Sequence, residues 1–501
     1  MNRNDSGFDF VVKGTTYSLA ALMVVRALSI VGSILVARIL GRTNLGMLSI
    51  VNNITGLAVF FATLGVPTAL TKFVAQAAGT DRARLPSIVG TALIAMLIPL
   101  LLLSAGLFAA AGPIARGIYH DSGLTPLIRI AAFVLFFNCL GTGAFGQSLL
   151  QGLKEVKRVS LINIVASAVN LPVVIALTAI FHLPGALVTQ LLVALLGFLL
   201  ILLGVRKVGL TLSGFRFDAK FLPALMNMAF PAFLSGLVMT PALLITTTRL
   251  QNARTFGDVG LFNICLGLFQ MILFLPVAVG MPLVPMIAES NVVDPAQMKR
   301  RLRIVTELTA FAALVLSTAF GVFARPAIFA LYGRGYLDAA PAMTVMASAV
   351  FFTSMGTIIG HYFTGTGKMW TGMAFNLLWL VLLIPLAWYL IPARGVVGLA
   401  YAFEISYGIM TFGMLIYFSR AIGLPARYLY LLSGIALAGS FVSRKLLSSL
   451  QGLEYAAAGM ATFAVVVIAG FLLLPSKQEL RGTLVSLREW FLRRSAGLSN
   501  P

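Results

Sequence analysis

The chain has 501 residues, of which 59% are hydrophobic and only 10% charged. Soluble globular chains carry roughly 25% charged residues, so the composition excludes a soluble enzyme or binding domain. The net charge of +21 would suggest nucleic acid in a soluble chain, but no basic patch is interleaved with exposed aromatics; loops that set membrane topology are the better reading.

About twenty apolar residues cross a bilayer core as a helix. Such stretches predict spans at 15–37, 45–66, 86–111, 126–150, 159–181, 184–205, 222–248, 259–287, 304–324, 341–364, 370–391, 396–418, 428–448 and 455–474. The expected fold is therefore all-α and polytopic, with about fourteen transmembrane helices. The first span carries Arg26 and is followed by others, so it is expected to stay in the protein rather than be cleaved as a signal peptide. With the N-terminus placed in the cytoplasm, inside segments hold 24 of the 36 Lys and Arg, outside segments with the adjoining span ends hold 11, and Arg26 is the one left inside a span away from its ends. That bias predicts an even number of crossings and both termini in the cytoplasm.

The sequence also repeats. Shifted by 215, Pro126 falls on Pro341, Phe136-Phe137 on Phe351-Phe352, Gly141-Thr142 on Gly356-Thr357, and Gly152 on Gly367. At 213, Asn163 meets Asn376, Pro172 meets Pro385 and Gly185 meets Gly398; at 214, Gly46 meets Gly260. Glycine and proline set backbone conformation, so their register weighs more than matched leucines. Six spans separate the partners, which predicts two lobes of like orientation related by a pseudo-two-fold axis along the membrane normal. The expected organisation is a six-helix lobe at 1–205, a cytoplasmic linker at 206–220, a second six-helix lobe at 221–419, a helix pair at 420–475, and a basic amphipathic tail at 476–501 on the inner leaflet.

Polar groups inside the spans are the candidate binding residues. A charge at a helix centre costs roughly 2.5–3.5 kcal/mol on insertion scales, so Arg26 is expected to face a wet cavity or a partner. Thr15, Ser18, Arg26, Ser29 and Ser33 form one stripe on the first span. Asn52, Thr55 and Thr63 share a face of the second, Thr240 and Thr247 of the seventh, and Asn263 and Gln270 of the eighth. Hydroxyls and amides also glue membrane helices together, and for most of these that reading competes with substrate binding. Arg38, Arg249 and Arg254 lie near outer span ends, where snorkelling to the interface competes with holding a phosphate or sugar. His361 sits in the tenth span as a lining candidate, with packing as the alternative. Glu404 in the twelfth is the one clear embedded acid, a candidate for ion or proton coupling.

Signatures of enzymes are missing. Gly333-Arg334-Gly335 and Gly365-Thr366-Gly367 lack the remaining residues of a phosphate loop, and neither a zinc-protease motif nor an acidic triad is present. The two cysteines, Cys139 and Cys265, fall in apolar runs and read as small buried hydrophobes. No cofactor and no metal is expected.

Two further segments carry a family resemblance: Val36-Ala37-Arg38-Ile39-Leu40-Gly41-Arg42-Thr43-Asn44-Leu45-Gly46, and Leu64-Gly65-Val66-Pro67-Thr68-Ala69-Leu70-Thr71-Lys72-Phe73-Val74-Ala75. With Gln151-Gly152-Leu153-Lys154 closing the fourth span, the chain resembles the polysaccharide-transport branch of the multidrug/oligosaccharidyl-lipid/polysaccharide exporter superfamily. The resemblance implies a non-enzymatic flippase of the inner membrane. Its substrate would be a polyprenyl-diphosphate-linked anionic glycan, moved by alternating access for surface polysaccharide biosynthesis. Membrane lipids are implied as surroundings, with a glycan polymerase or glycosyltransferases as candidate partners and no nucleic acid. Related lipid II flippases carry an essential arginine twelve residues before the arginine of a VARIxG motif; Arg26 stands twelve before Arg38 and inherits that role by position. Those relatives also carry an acidic residue nearby, and residues 29–35 hold none, which favours a glycan other than lipid II. The competing readings are a cation-coupled multidrug exporter of the same superfamily and a non-transporting scaffold for glycan assembly.

Overall fold

A computed structural model describes residues 3–209, 214–280, 287, 295–423, 427–447 and 452–473. The expected amphipathic tail, part of the 206–220 linker, and the side chains of Thr15 and Ser18 lie outside the described residues. Every regular element among the described residues is helical. The helices are α1 (Arg3–Thr63), α2 (Val66–Thr80), α3 (Leu85–Pro113), α4 (Leu124–Leu140), α5 (Phe145–Gly152), α6 (Val156–Lys207), α7 (Leu222–Gly236), α8 (Met239–Ala253) and α9 (Phe256–Gly280). They continue with α10 (Pro295–Val322), α11 (Ala324–Tyr332), α12 (Ala340–Gly365), α13 (Met369–Ile422), α14 (Arg427–Leu447) and α15 (Gly452–Leu473).

Nine of the described helical stretches are long and apolar enough to cross a membrane, ten when the bent pair α7–α8 counts as one span. Three of these are two helices joined at a break. The 61 residues of α1 would extend roughly 90 Å as one helix, three times the hydrocarbon thickness. Gly41 breaks α1 at φ 70°, His182 breaks α6 and Gly395 breaks α13. Counting each as two and adding α14 reaches the fourteen spans expected from hydropathy.

The breaks also preserve the repeat in backbone angles. His182 stands at φ 51°, ψ −128° and Gly395, 213 positions later, at φ 56°, ψ −129°. The turns that open α6 and α13 match as well. Glu155 N donates to Leu150 O at 2.9 Å, and Lys368 N to Phe363 O at 2.8 Å, again 213 apart. Lys154 and Gly367 both take the left-handed conformation that such a helix ending requires. Gly152 therefore corresponds to Gly365 rather than to Gly367.

The offset of 215 has a physical origin. The first half carries two extra residues, and the helix corresponding to the unbroken α12 is interrupted there between α4 and α5, at residues 141–144. Glycines make that interruption possible by letting it press onto the second half of α6. A Cβ on Gly141 would lie 2.9 Å from Phe198 N, and one on Gly197 would lie 2.9 Å from Thr142 Oγ1.

Two compact units result. One comprises Met1–Ile264 with Phe329–Leu337 and Ala387–Val396; the other comprises Cys265–Ile328, Asp338–Leu386 and Val397–Pro501. In the first, α1 packs along α6 and α4, and its second half crosses α8 and the start of α9. In the second, α12 is the central helix, almost wholly buried, with α10 and α14 against it and α15 against α10 and α14. Cys139 and Cys265 are buried and free, as expected for small apolar fillers.

Candidate functional site

Arg26 is exposed on the first half of α1, and its neighbour Val25 forms part of the wall of a cavity of about 320 Å³ inside the first unit. The remaining wall comes from α4, the break after it and both halves of α6: Val134, Asn138, Thr142, Asn163, Ala166, Ser167, Asn170, Gln190, Val193 and Ala194. Six of these are polar and none is charged. Asn163, Ser167 and Asn170 lie four and three apart, on one helical face. None of the six polar side chains has a hydrogen-bond partner among the described residues, and none has an atom sealed from solvent. Asn138 Oδ1 occupies the place where a Cβ of residue 143 would sit, 1.7 Å from it, so Gly143 is what allows this amide its position.

The sequence-predicted residues divide between this neighbourhood and local helix bonds. Ser29 Oγ donates to Val25 O at 2.8 Å and Ser33 Oγ to Ile30 O at 2.9 Å, both on the exposed side of α1. Thr55 Oγ1 donates to Val51 O at 2.7 Å. Asn52 is exposed; it is its neighbour Asn53 that reaches Thr247 Oγ1, at 3.1 Å. Thr240 packs its methyl near Gly56, so α8 meets the second half of α1 through Asn53 and Gly56. Asn263 and Gln270 are half-buried on α9. His361 Nδ1 lies 2.6 Å from Thr357 O, one turn back on its own helix.

The outer arginines have distinct surroundings. Arg38 donates from Nε to Leu331 O at 2.6 Å and from Nη2 to Ala330 O, so it caps the end of α11. Tyr336 reinforces that junction by donating to Ala37 O at 2.6 Å. Arg254 donates to Pro392 O at 2.7 Å. Arg249 lies over the Trp388 ring, 5.2 Å from its centroid, with a buried Nε that has no partner.

In the second unit, the hydroxyl of the fully buried Ser348 donates to Glu404 Oε1. An apolar groove of about 630 Å³ runs along one face of α14, over Tyr430, Leu431, Gly434, Ile435 and Ala438, with Arg427 at its end. Among the described residues no cluster of three or more His, Cys, Asp or Glu could hold a metal ion.

Sequence reasoning passes over the amide cavity. The spacing of Asn163, Ser167 and Asn170 is visible in the residues, but Asn138, Thr142 and Gln190 join them only through the break after α4.

Comparison with known proteins follows the same lines. The family described as "Polysaccharide biosynthesis protein" matches residues 11–291. No curated protein sequence matches the chain significantly. Among solved structures, the lipid II flippase MurJ in an inward closed conformation superposes with a TM-score of 0.72 at 13% identity, covering 90% of this chain and 97% of its own. An inward-facing multidrug resistance MATE family transporter of the MOP superfamily gives 0.69 at 16% identity, covering 81% and 98%. A MOP superfamily transporter from Pyrococcus furiosus gives 0.58 at 15% identity, covering 83% and 95%. At these identities the likeness is one of fold: a polytopic, all-helical transporter architecture. The chain is a membrane transporter-fold protein that belongs to the polysaccharide biosynthesis protein family.

Proposed function

We propose that the protein is a flippase that moves a polyprenyl-diphosphate-linked oligosaccharide from the inner to the outer leaflet of the cytoplasmic membrane by alternating access. The observation that carries this reading is Arg26: a guanidinium exposed midway along an apolar helix, next to a wall residue of an uncharged polar cavity. A diphosphate brought out of bulk water needs charge-assisted donors, and a guanidinium supplies several in a fixed fork. The sugars need hydroxyl and amide partners, and the polyprenyl tail needs an apolar path. The α14 groove with Arg427 at its end supplies chemistry of the latter kind.

In this reading both termini are cytoplasmic, and the lobes at 1–205 and 221–419 open alternately to the two sides. The pair at 420–475 serves the lipid tail. Ser29, Ser33, Asn52, Thr55, Thr240, Arg249, Asn263, Gln270 and His361 are secondary candidates behind Arg26. Glu404 is the candidate coupling group.

The family match and the MurJ-like fold support a flippase over a scaffold. A cation-coupled drug exporter is disfavoured by the polar cavity, whose walls hold no carboxylate to neutralise a cationic drug. The test is reconstitution of the purified protein in vesicles with a fluorescent polyprenyl-diphosphate glycan and, separately, a cationic dye. Translocation of the glycan lipid and not of the dye is expected. The converse result would establish the exporter, and movement of neither would favour the scaffold.

A further inference from the structure

The two halves of the chain treat several of the same helical positions differently. The register between α6 and α13 is fixed at 213 by the opening turns and the matched breaks at His182 and Gly395. Through that register, Ala166 of the cavity wall corresponds to Trp379, Ser167 to Leu380, Asn170 to Leu383, Gln190 to Phe403 and Ala194 to Tyr407. In the second unit Leu383 and Phe403 are completely buried. Trp379, Phe403 and Tyr407 pack against one another there in edge-to-face and tilted contacts, with ring centroids 5.1–6.0 Å apart. What an aromatic cluster and Leu383 fill in one half is, in the other, hollow and lined by Asn170 and Gln190, while Asn163 keeps an asparagine counterpart in Asn376. The fold therefore does not require the cavity. The amides are open to solvent and have no partner among the described residues, which leaves their donors and acceptors available to a ligand.

The chemistry of the wall states which ligand. Asn138, Asn163, Asn170 and Gln190 each present a carboxamide donor and acceptor, and Thr142 and Ser167 add hydroxyls. No wall residue carries a charge, so neither a phosphate nor a multivalent cation is matched. A volume of about 320 Å³ suits one sugar ring and not an oligosaccharide; it lies near the lower end of the roughly 300–1,000 Å³ typical of ligand pockets.

We propose that this cavity is a monosaccharide-recognition site that takes one uncharged, hydroxyl- or acetamido-bearing sugar unit and reads it by paired amide hydrogen bonds. The proposal rests on the flippase reading for its source of sugar and assigns the anionic part of such a substrate to Arg26, outside the cavity. An amide left facing a missing hydroxyl stays unpaired, so the site discriminates among sugars by the positions of their polar groups.

Saturation-transfer NMR on the full-length protein in nanodiscs, with free N-acetylglucosamine and free glucose as probes, tests this directly. Transfer to at least one probe is expected. It should fall several-fold in Asn170→Leu/Gln190→Phe, which installs the second half's residues, and in Ser167→Leu, the milder second variant. Gly106→Ala, where a Cβ meets nothing within 4 Å, should retain it. Absence of transfer in the wild type, or equal transfer in correctly assembled variants, overturns the proposal. So does a thermal stabilisation by sodium over potassium that the Asn170→Leu/Gln190→Phe variant abolishes, since that marks a cation site. Because the readout is binding, sugar contact without glycan-lipid translocation would sink the flippase reading alone, and translocation without sugar contact would sink this one.

Discussion

Gly46 and Gly260 make reciprocal contacts: a Cβ on Gly46 would lie 1.7 Å from Phe256 O, and one on Gly260 would lie 2.0 Å from Arg42 O. Each pair, 46 with 260 and 42 with 256, is separated by 214 positions, the offset at which the sequence repeats there. Two equivalent helix segments thus cross backbone to backbone about a local two-fold, a crossing that glycine alone admits. Because the obstacle is a carbonyl rather than a flexible side chain, Gly46→Ala and Gly260→Ala should each cost more than the roughly 1–3 kcal/mol of ordinary overpacking. Thermal unfolding in detergent checks this, with Gly106→Ala as a control at a site where a Cβ meets nothing within 4 Å.

His182 holds a conformation that its counterpart Gly395 adopts without a side chain. A non-glycine residue in such a region stores roughly 1–3 kcal/mol of strain, more than the roughly 0.5–1 kcal/mol of extra entropy glycine costs. His182→Gly should therefore raise the unfolding midpoint and leave transport intact. An unchanged or lowered midpoint would show the imidazole to be held by compensating interactions.

Arg38 and Arg26, twelve residues apart on α1, should separate by phenotype. Arg38 spends its donors on the carbonyls of Ala330 and Leu331. Arg38→Ala should lower stability by roughly 1.5–3 kcal/mol, the worth of hydrogen bonds to a charged group, with transport per folded molecule nearly unchanged. Measurement of both quantities on the same preparation decides it; loss of transport in a fully stable Arg38→Ala protein would give Arg38 a direct role.

The Asn53–Thr247 bond at 3.1 Å joins α1 to α8. A double-mutant cycle with Asn53→Ala and Thr247→Val should return a coupling of about 0.6 kcal/mol, the average for hydrogen bonds between membrane helices. A coupling several times larger would mean that this contact is part of a moving gate rather than ordinary adhesion.

Much of the fold is legible in the residues because its determinants are local. Hydropathy locates the helices, and Gly41 and Gly395 mark breaks where a Cβ or a continuing helix would fail. The sliding offset in the repeat, 215 falling to 213, carries the interruption at residues 141–144 in the spacing of glycines and prolines alone. The candidate site is less legible. The hydroxyls of Ser29, Ser33 and Thr55 look like a lining, yet each donates to its own helix. Asn52 and Asn53 are adjacent and chemically identical, and only packing against α8 decides which of them is engaged. Asn138 and Gln190 lie 52 positions apart in the sequence, and a broken helix alone brings them to one cavity.

Translocation of a fluorescent polyprenyl-diphosphate glycan in vesicles that contain wild-type, Arg26→Lys, Arg26→Ala or Arg26→Glu protein tests the central claim most directly. With equal insertion verified, Arg26→Ala should lose about tenfold or more in rate, equivalent to roughly 1.4 kcal/mol. Arg26→Lys should retain part of the activity and Arg26→Glu none. Wild-type rates from a correctly inserted Arg26→Ala protein would contradict the account.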